Sequence, residues 1–339
     1  MRVLFISLPN IGLIGGGGLP KQINITANAL IKTGVDIIYY DPWVNQIKDV
    51  DLCHFFGPCS GVYSVFEKAL INNKSVVFSP VFNFNYDGIT WKQRKIMASL
   101  SNIPGVFTSY KLIKRMLKDA HKVLPLNDEE QNMLAKIFNV QTKNFSIVPI
   151  GLNKIFASGD PKLFQKEYGL SDFVLNVSTM IPTKNQLSLI KAMNDLPYPL
   201  VLIGPMLEQH KDYAEKCKKV AGKNVLFAGR VNEDMLVSAY AAAKVFVLPS
   251  FSEVMPSCLY EAAMAGCKLI TSTPVPVAPE IRKQVRSADP NKPEDFRALI
   301  QQAMESTSDN ELRNIVLSMP SWEEVAVKIK TVYKELLSA

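Results

Sequence analysis

No apolar run in the 339-residue chain approaches the ~18–20 residues that a membrane-crossing helix needs. The start, MRVLFISLPN, is too short a run for a signal peptide and ends in Pro9, so it reads as a first strand. The five cysteines (Cys53, Cys59, Cys217, Cys258, Cys267) form no C-x-x-C and no zinc-type spacing with His54, His121 or His210. Free thiols in a cytoplasmic protein are therefore expected. G-x-x-x-x-G-K-[ST] is also absent. The run Gly15–Gly18 does not fit G-x-G-x-x-G, because Pro20 and Lys21 stand where its third glycine is required. These absences disfavour a P-loop enzyme and a nicotinamide-dependent dehydrogenase, although Asp41, near the end of the second strand, keeps the latter formally open. No Ser/His/Asp arrangement, no metal-ligand cluster, no repeat and no low-complexity tract stands out. Neither a metal nor a cofactor is expected.

What is present is an α/β rhythm. A chain this long exceeds one ordinary core and predicts two domains, with 47% apolar residues as in soluble globular proteins. Strand and helix signals alternate throughout, as in doubly wound parallel sheets. The amino half reads strand 3–7, a glycine loop 9–18, helix 19–32, strands 35–40 and 51–55, helix 62–71 and strand 75–78. It continues with helix 110–118, strand 122–124, helix 127–138 and strand 146–148. Asn127 and Glu130 predict a capping box for that last helix. After Pro149-Ile150-Gly151 a second series begins, which sets a boundary near Leu152 and domains of 1–152 and 153–321. The net charge of +7 is uneven: eight basic residues and one acid, Asp119, lie between Lys92 and Lys122. No aromatic-interleaved motif accompanies them, so nucleic acid is not the expected partner. A solvated helix face and an anionic membrane surface remain open.

The most informative stretch is Val245–Glu280, VFVLPSFSEVMPSCLYEAAMAGCKLITSTPVPVAPE. It predicts a buried strand at 245–248, a turn opened by Pro249-Ser250, a helix from Ser257 to Gly266, and a following strand at 268–271. Glu253 lies in the loop beyond the strand, and Glu261 about one turn into the helix. A helix rises ~1.5 Å per residue, so both carboxylates can face one ligand at the carboxyl ends of the strands. Residues 254–257 put backbone N–H groups at a helix start, a site suited to an anion. Acids for hydroxyls beside amides for phosphate fit a nucleotide sugar.

Other candidates carry less. The Gly15–Gly18 loop lets backbone approach a ligand after the first strand. Asp49-Val50-Asp51 has the D-x-D form of metal-dependent glycosyltransferases, but it precedes its strand and reads as strand-entry charge. His54 stands near the end of the third strand, either toward a cleft or as a structural histidine. Lys184, in VSTMIPTKNQ, precedes a helix at 185–193. A cation is unfavourable there for the helix and suited to a diphosphate leaving group.

Pro249-Ser250, Glu253, the run Glu261–Gly266 and Pro279-Glu280 together resemble the E-x7-E region of family 4 retaining glycosyltransferases. Weaker echoes extend over nearly the whole chain: Gly15–Gly18 as an acceptor loop, Asp51-x-x-His54, Pro149-x-Gly151 and Ser321-Trp322. The resemblance implies the GT-B architecture, two Rossmann-like domains facing a central cleft, with the last helix (322–339) packing back on the first domain. It implies a retaining, metal-independent transfer of a hexosyl group from a nucleotide-sugar donor to a glycan, lipid-linked or small hydroxylated acceptor. It assigns Glu253 to the donor sugar, Glu261 to the ribose, and backbone of Met255, Pro256 and Ser257 to sugar and phosphate. Lys184 would stabilise the leaving diphosphate, and Gly15, Gly16, Gly17 and Gly18 would lie beneath the phosphates and the acceptor. Ser178-Thr179 stands where the family carries Gly-Arg, with Arg230 as the candidate replacement. Asn83 or Asn85 stands nearest to the family's cleft histidine. A nucleotide-sugar epimerase of the same architecture and a non-catalytic binding protein are the alternatives, and peripheral membrane contact through Lys92–Lys122 is the further expectation.

Overall fold

The computed structural model describes residues 1–8, 18–44, 46–57, 60–82, 90–100, 103, 105, 108–251, 253, 256–273, 277–307 and 310–338, with backbone alone at 18, 279 and 280. Gly15–Gly17, Asn83, Asn85 and Met255 lie outside the described residues, as does the side chain of Glu280. Chain contacts divide the molecule into one unit of Met1–Gly151 with Pro320–Ala339, and a second of Leu152–Met319.

The first unit runs β1 (Arg2–Ile6), α1 (Gly18–Lys32), β2 (Asp36–Tyr39), β3 (Leu52–Phe56), α2 (Tyr63–Ile71) and β4 (Ser75–Ser79). It continues through α3 (Trp91–Leu100), α4 (Ser109–Asp119), β5 (Lys122–Val123) and α5 (Asp128–Phe138). The second holds α6 (Lys162–Tyr168), β6 (Phe173–Val177), α7 (Gln186–Met193), β7 (Leu200–Ile203), α8 (Lys211–Val220), β8 (Val225–Gly229) and α9 (Glu233–Ala242). β9 (Ala243–Leu248), α10 (Ser257–Met264), β10 (Lys268–Ser272), α11 (Pro279–Arg282), β11 (Arg286–Ala288), α12 (Pro293–Glu305) and α13 (Glu311–Ser318) complete it. The last helix, α14 (Trp322–Ser338), returns to the first unit. Both sheets are parallel, ordered β2-β1-β3-β4-β5 and β11-β10-β9-β6-β7-β8.

Strand residues alternate between the two faces of a sheet, and the first unit shows what this does. Leu4, Ile6, Cys53 and Phe55 face one core with Phe66 of α2, Met116 of α4 and Phe138 of α5. Val3, Phe5, Leu52 and Phe56 face the other, under α1 and α14, with Leu30, Trp322, Ile329 and Tyr333. Gly151 permits the return of the last helix, since a Cβ there would lie 2.5 Å from the Trp322 backbone.

Three local expectations are corrected. Residues 146–148 form no strand of their own: on this side of β5 the pairing is the isolated bridge Val123–Phe145, followed by the single hydrogen bonds Ser146 N to Val123 O and Val148 N to Pro125 O, both at 2.9 Å. Asn127 caps α5 by accepting from the Glu130 N–H at 2.8 Å, but Glu130 does not reciprocate. Its buried carboxylate accepts from Leu126 N and Phe82 N, both at 2.7 Å, and so ties α5 to the end of β4. Burial pushes its pKa up to about 7 against those two bonds. Finally, the basic stretch is not one face. Arg94 is buried, bonded to the Tyr110 hydroxyl at 3.2 Å and lying over the Phe82 ring.

Candidate active site

In the second unit β6 and β9 are adjacent and parallel, so the connections after both strands leave the same end of the sheet. Beyond β6 the chain passes Ser178-Thr179 and a 3-10 turn, Pro182–Lys184, before α7. Beyond β9 it passes Pro249–Pro256 before α10. Phe251 N donates to Thr183 O at 2.9 Å and joins the two connections backbone to backbone. Close packing of the sheet's neighbouring ends needs a glycine at Gly204, after β7: its φ is +148°, and a Cβ would fall 2.0 Å from Ser178 O.

This joint brings Lys184 to Glu253. The ammonium donates to both carboxylate oxygens, at 2.7 and 2.8 Å, and the Ser250 hydroxyl donates to Glu253 Oε1 at 2.5 Å. The Glu253 side chain is only 8% exposed and that of Lys184 24%, so the pair is largely shielded from solvent. At low effective dielectric such a pair is far stronger than at a surface, and loss of one partner leaves the other charge poorly solvated. The unfavourable position of a lysine before a helix thus has its compensation in Glu253, not in open solvent.

Glu261, on α10, is buried and accepts from the Tyr240 hydroxyl at 3.0 Å. Burial and the nearby Glu261 carboxylate hold the Tyr240 hydroxyl well above its ordinary pKa, so it remains a donor. The two glutamates are therefore held by different elements, Glu253 by the β6 connection and Glu261 by α9. Pro256 precedes α10 and supplies no side-chain cap, and its carbonyl accepts from Leu259 N at 2.9 Å in the first turn. Thr179 is half-buried, and its carbonyl accepts from Gln186 Nε2 at 2.8 Å.

Two predicted site residues are not brought to this place. Arg230 is exposed at the end of β8, with β7 and β6 between it and β9, and among the described residues no contact joins it to Lys184 or Glu253. His54 is the middle residue of β3 and fully buried, so the cleft-facing expectation is corrected. Its Nδ1 pairs with the Tyr333 hydroxyl at 2.5 Å and its Nε2 with Ser79 Oγ at 2.8 Å. Its ring stacks on Phe56 at 4.0 Å, and burial lowers its pKa to about 3. It is a neutral core histidine linking β3, β4 and α14. Asp51, likewise, accepts from Arg2 N at 2.7 Å as a strand-entry charge.

Residues 164–316 match the family described as Glycosyl transferases group 1. Over this segment the chain is similar to glycosyltransferases of group 1. Lys184, Glu253 and Glu261 all lie inside it. Among curated relatives, the O-antigen chain mannosyltransferase B of Escherichia coli is 24% identical over 242 residues, 67% of this chain and 64% of that protein. The serotype-specific mannosyltransferase WbdA of the same species is 23% identical over 55% of this chain and 23% of its own length. The chain thus spans less than two thirds of the relatives it matches. Among solved structures, sucrose-phosphate synthase from Thermosynechococcus elongatus superposes with a TM-score of 0.74, at 18% identity over 99% of both chains. HepE from Anabaena, solved with UDP, gives 0.73 at 14% identity over 99% and 100%. These likenesses show the fold, which is GT-B with two Rossmann-like domains. Around these two glutamates, the sequence left unread Asn185, Gln186, Tyr240 and the bonding role of Ser250. Only Ser250 had a signal, its place three residues before Glu253.

Proposed function

We propose that this protein is a retaining, metal-independent hexosyltransferase of family 4 that moves a sugar from a nucleotide-sugar donor to a glycan, lipid-linked or small hydroxylated acceptor. The observation that carries the reading is the shielded Lys184–Glu253 pair at adjacent strand ends inside the group 1 match. Lys184 meets the departing diphosphate, helped by the N-terminus of α10 at Ser257 and by the backbone at Pro256 and Met255. Glu253 accepts hydrogen bonds from the donor sugar, and Glu261 from the ribose, oriented by Tyr240. In the transfer, the bond from the anomeric carbon to the phosphate oxygen breaks while the acceptor oxygen bonds on the same face. The acceptor's proton passes to the leaving phosphate, so no separate base is required. The first unit, with the Gly15–Gly18 loop, takes the acceptor.

Solved HepE holds UDP, and one curated relative is an O-antigen chain mannosyltransferase, which favours a nucleotide-sugar donor and a glycan acceptor. Among the described residues no helix is long and apolar enough to cross a membrane. Peripheral contact is supported by α3, where Ile96, Met97 and Leu100 are exposed beside Lys92 and Lys95. Sedimentation with anionic vesicles, and its loss at high salt, checks that part.

The main test is thermal unfolding against a panel of UDP- and GDP-hexoses. At a hundredfold excess over Kd a ligand adds ~2.7 kcal/mol, a readily measured shift. No shift with any nucleotide or nucleotide sugar overturns the reading. Release of free nucleotide that requires added acceptor separates transfer from epimerisation.

A further inference from the structure

We propose that Asn185 is a positioning residue that sets Lys184 against Glu253. The inference rests on the roles given to those two residues above. It begins from an anomaly at the start of α7. An asparagine in this place ordinarily keeps an extended backbone and turns its side-chain oxygen back to cap the first amides of the helix. Asn185 does neither. Its backbone is left-handed, with φ 56° and ψ 32°, and its side chain makes no cap bond.

The side chain is committed elsewhere. It is buried, 5% exposed, and Nδ2 donates to Pro249 O at 3.1 Å and to Pro290 O at 2.7 Å. Pro249 opens the connection that carries Ser250 and Glu253, and Pro290 follows β11. One amide thus ties the chain beyond β6 to the chain beyond β9 and beyond β11. Its own N–H closes the 3-10 turn on Pro182 O at 3.1 Å, which fixes the direction in which Lys184 leaves the turn. Gln186, fully buried, makes the complementary tie, donating to Ser178 Oγ and Thr179 O at 2.8 Å each. Of the two amides, only Asn185 reaches the connection that bears Glu253, and only Asn185 adjoins Lys184.

Asparagine is one of the few residues that accept a left-handed backbone at small cost, and its amide supplies two donors in a plane. Glycine keeps the backbone and removes the donors, so Asn185→Gly isolates the tie. The experiment measures donor turnover and melting temperature for the parent, Asn185→Gly, Lys184→Ala and the double variant, using whichever UDP- or GDP-hexose stabilises the parent. The expected result is a kcat at least ~10-fold lower for Asn185→Gly per folded molecule and a donor KM changed less than ~3-fold, with a lower melting temperature from the two carbonyls that lose their donor. In the Lys184→Ala background, Asn185→Gly then lowers kcat by less than ~2-fold, because its effect acts through the lysine. Equal factors in both backgrounds, or a melting loss with kcat unchanged, overturn the inference. If Asn185→Gly does not purify folded, Asn185→Ser, too short to reach both carbonyls, takes its place in the same cycle. Failure of the underlying reading is distinct: Lys184→Ala then turns over like the parent.

Discussion

His54 in the first unit and Glu253 in the second carry the same kind of signal, a polar side chain at or just beyond the end of a parallel strand, yet the fold uses them in opposite ways. His54 stands inside β3, on the face covered by α14, and both ring nitrogens are consumed by Tyr333 and Ser79. Glu253 stands five residues beyond β9, where the chain has left the sheet, and its partner Lys184 comes from the neighbouring strand's connection. A polar group within a strand is locked into the layer above it, whereas one beyond the strand end is held by the neighbouring connections.

The comparison can be broken most sharply at Glu253. Replacing it with Gln should lower turnover by ~10²–10³-fold, as for loss of a group that binds the reacting sugar, with a lower melting temperature because the Lys184 ammonium loses its counter-charge. A large melting loss with turnover retained would make Glu253 structural like His54. The mirror experiment is His54→Phe, which strands the Tyr333 and Ser79 hydroxyls in the core at a cost of roughly 2–5 kcal/mol and leaves turnover per folded molecule unchanged.

The same pair of predictions has a pH form within the first unit. His54 has a folded pKa of about 3 against an ordinary 6.5, so its contribution is complete above pH 6.5 and is lost as pH falls toward 3, by up to roughly 4–5 kcal/mol. Glu130 runs the other way. Raised from 4.5 to about 7, it contributes fully below 4.5 and loses that contribution as pH rises to 7. The two oppose each other between pH 4.5 and 6.5. Removing His54 should therefore leave stability that falls with rising pH in that window, readable from chemical denaturation as a function of pH.

Smaller effects sharpen the contrast further. Tyr240→Phe removes one hydrogen bond from Glu261, and nucleotide binding by calorimetry should weaken ~3–10-fold with turnover at saturation nearly intact. Arg230→Ala should change donor KM less than ~2-fold, because an exposed cation at the far strand of the sheet has little to act on. A tenfold rise would return Arg230 to the donor site.

Much of this was legible in the sequence because the signals were local. The alternation of strands and helices, the strand–loop–helix unit around Glu253 and Glu261, and the strand-entry role of Asp51 follow from periodicity, turn residues and spacing. Period-two reading also places His54 on the face of Leu52 and Phe56. What covers that face cannot be read locally, since Tyr333 lies 279 residues away. Glu130 illustrates the same limit: its spacing from Asn127 satisfies a capping box, but Phe82, 48 residues earlier, offers its amide and wins the carboxylate.

The amino-acid sequence by itself determined the two α/β series, their boundary near Leu152, and the acids Glu253 and Glu261 in one strand–loop–helix unit. Tertiary structure decided which partner each polar group keeps: Lys184 for Glu253, Tyr240 for Glu261, Tyr333 and Ser79 for His54, and Pro249 and Pro290 for Asn185. The physical reason is range. Helix and strand patterns arise from neighbours a few residues apart, whereas a buried polar group must find a partner wherever the packed chain brings one.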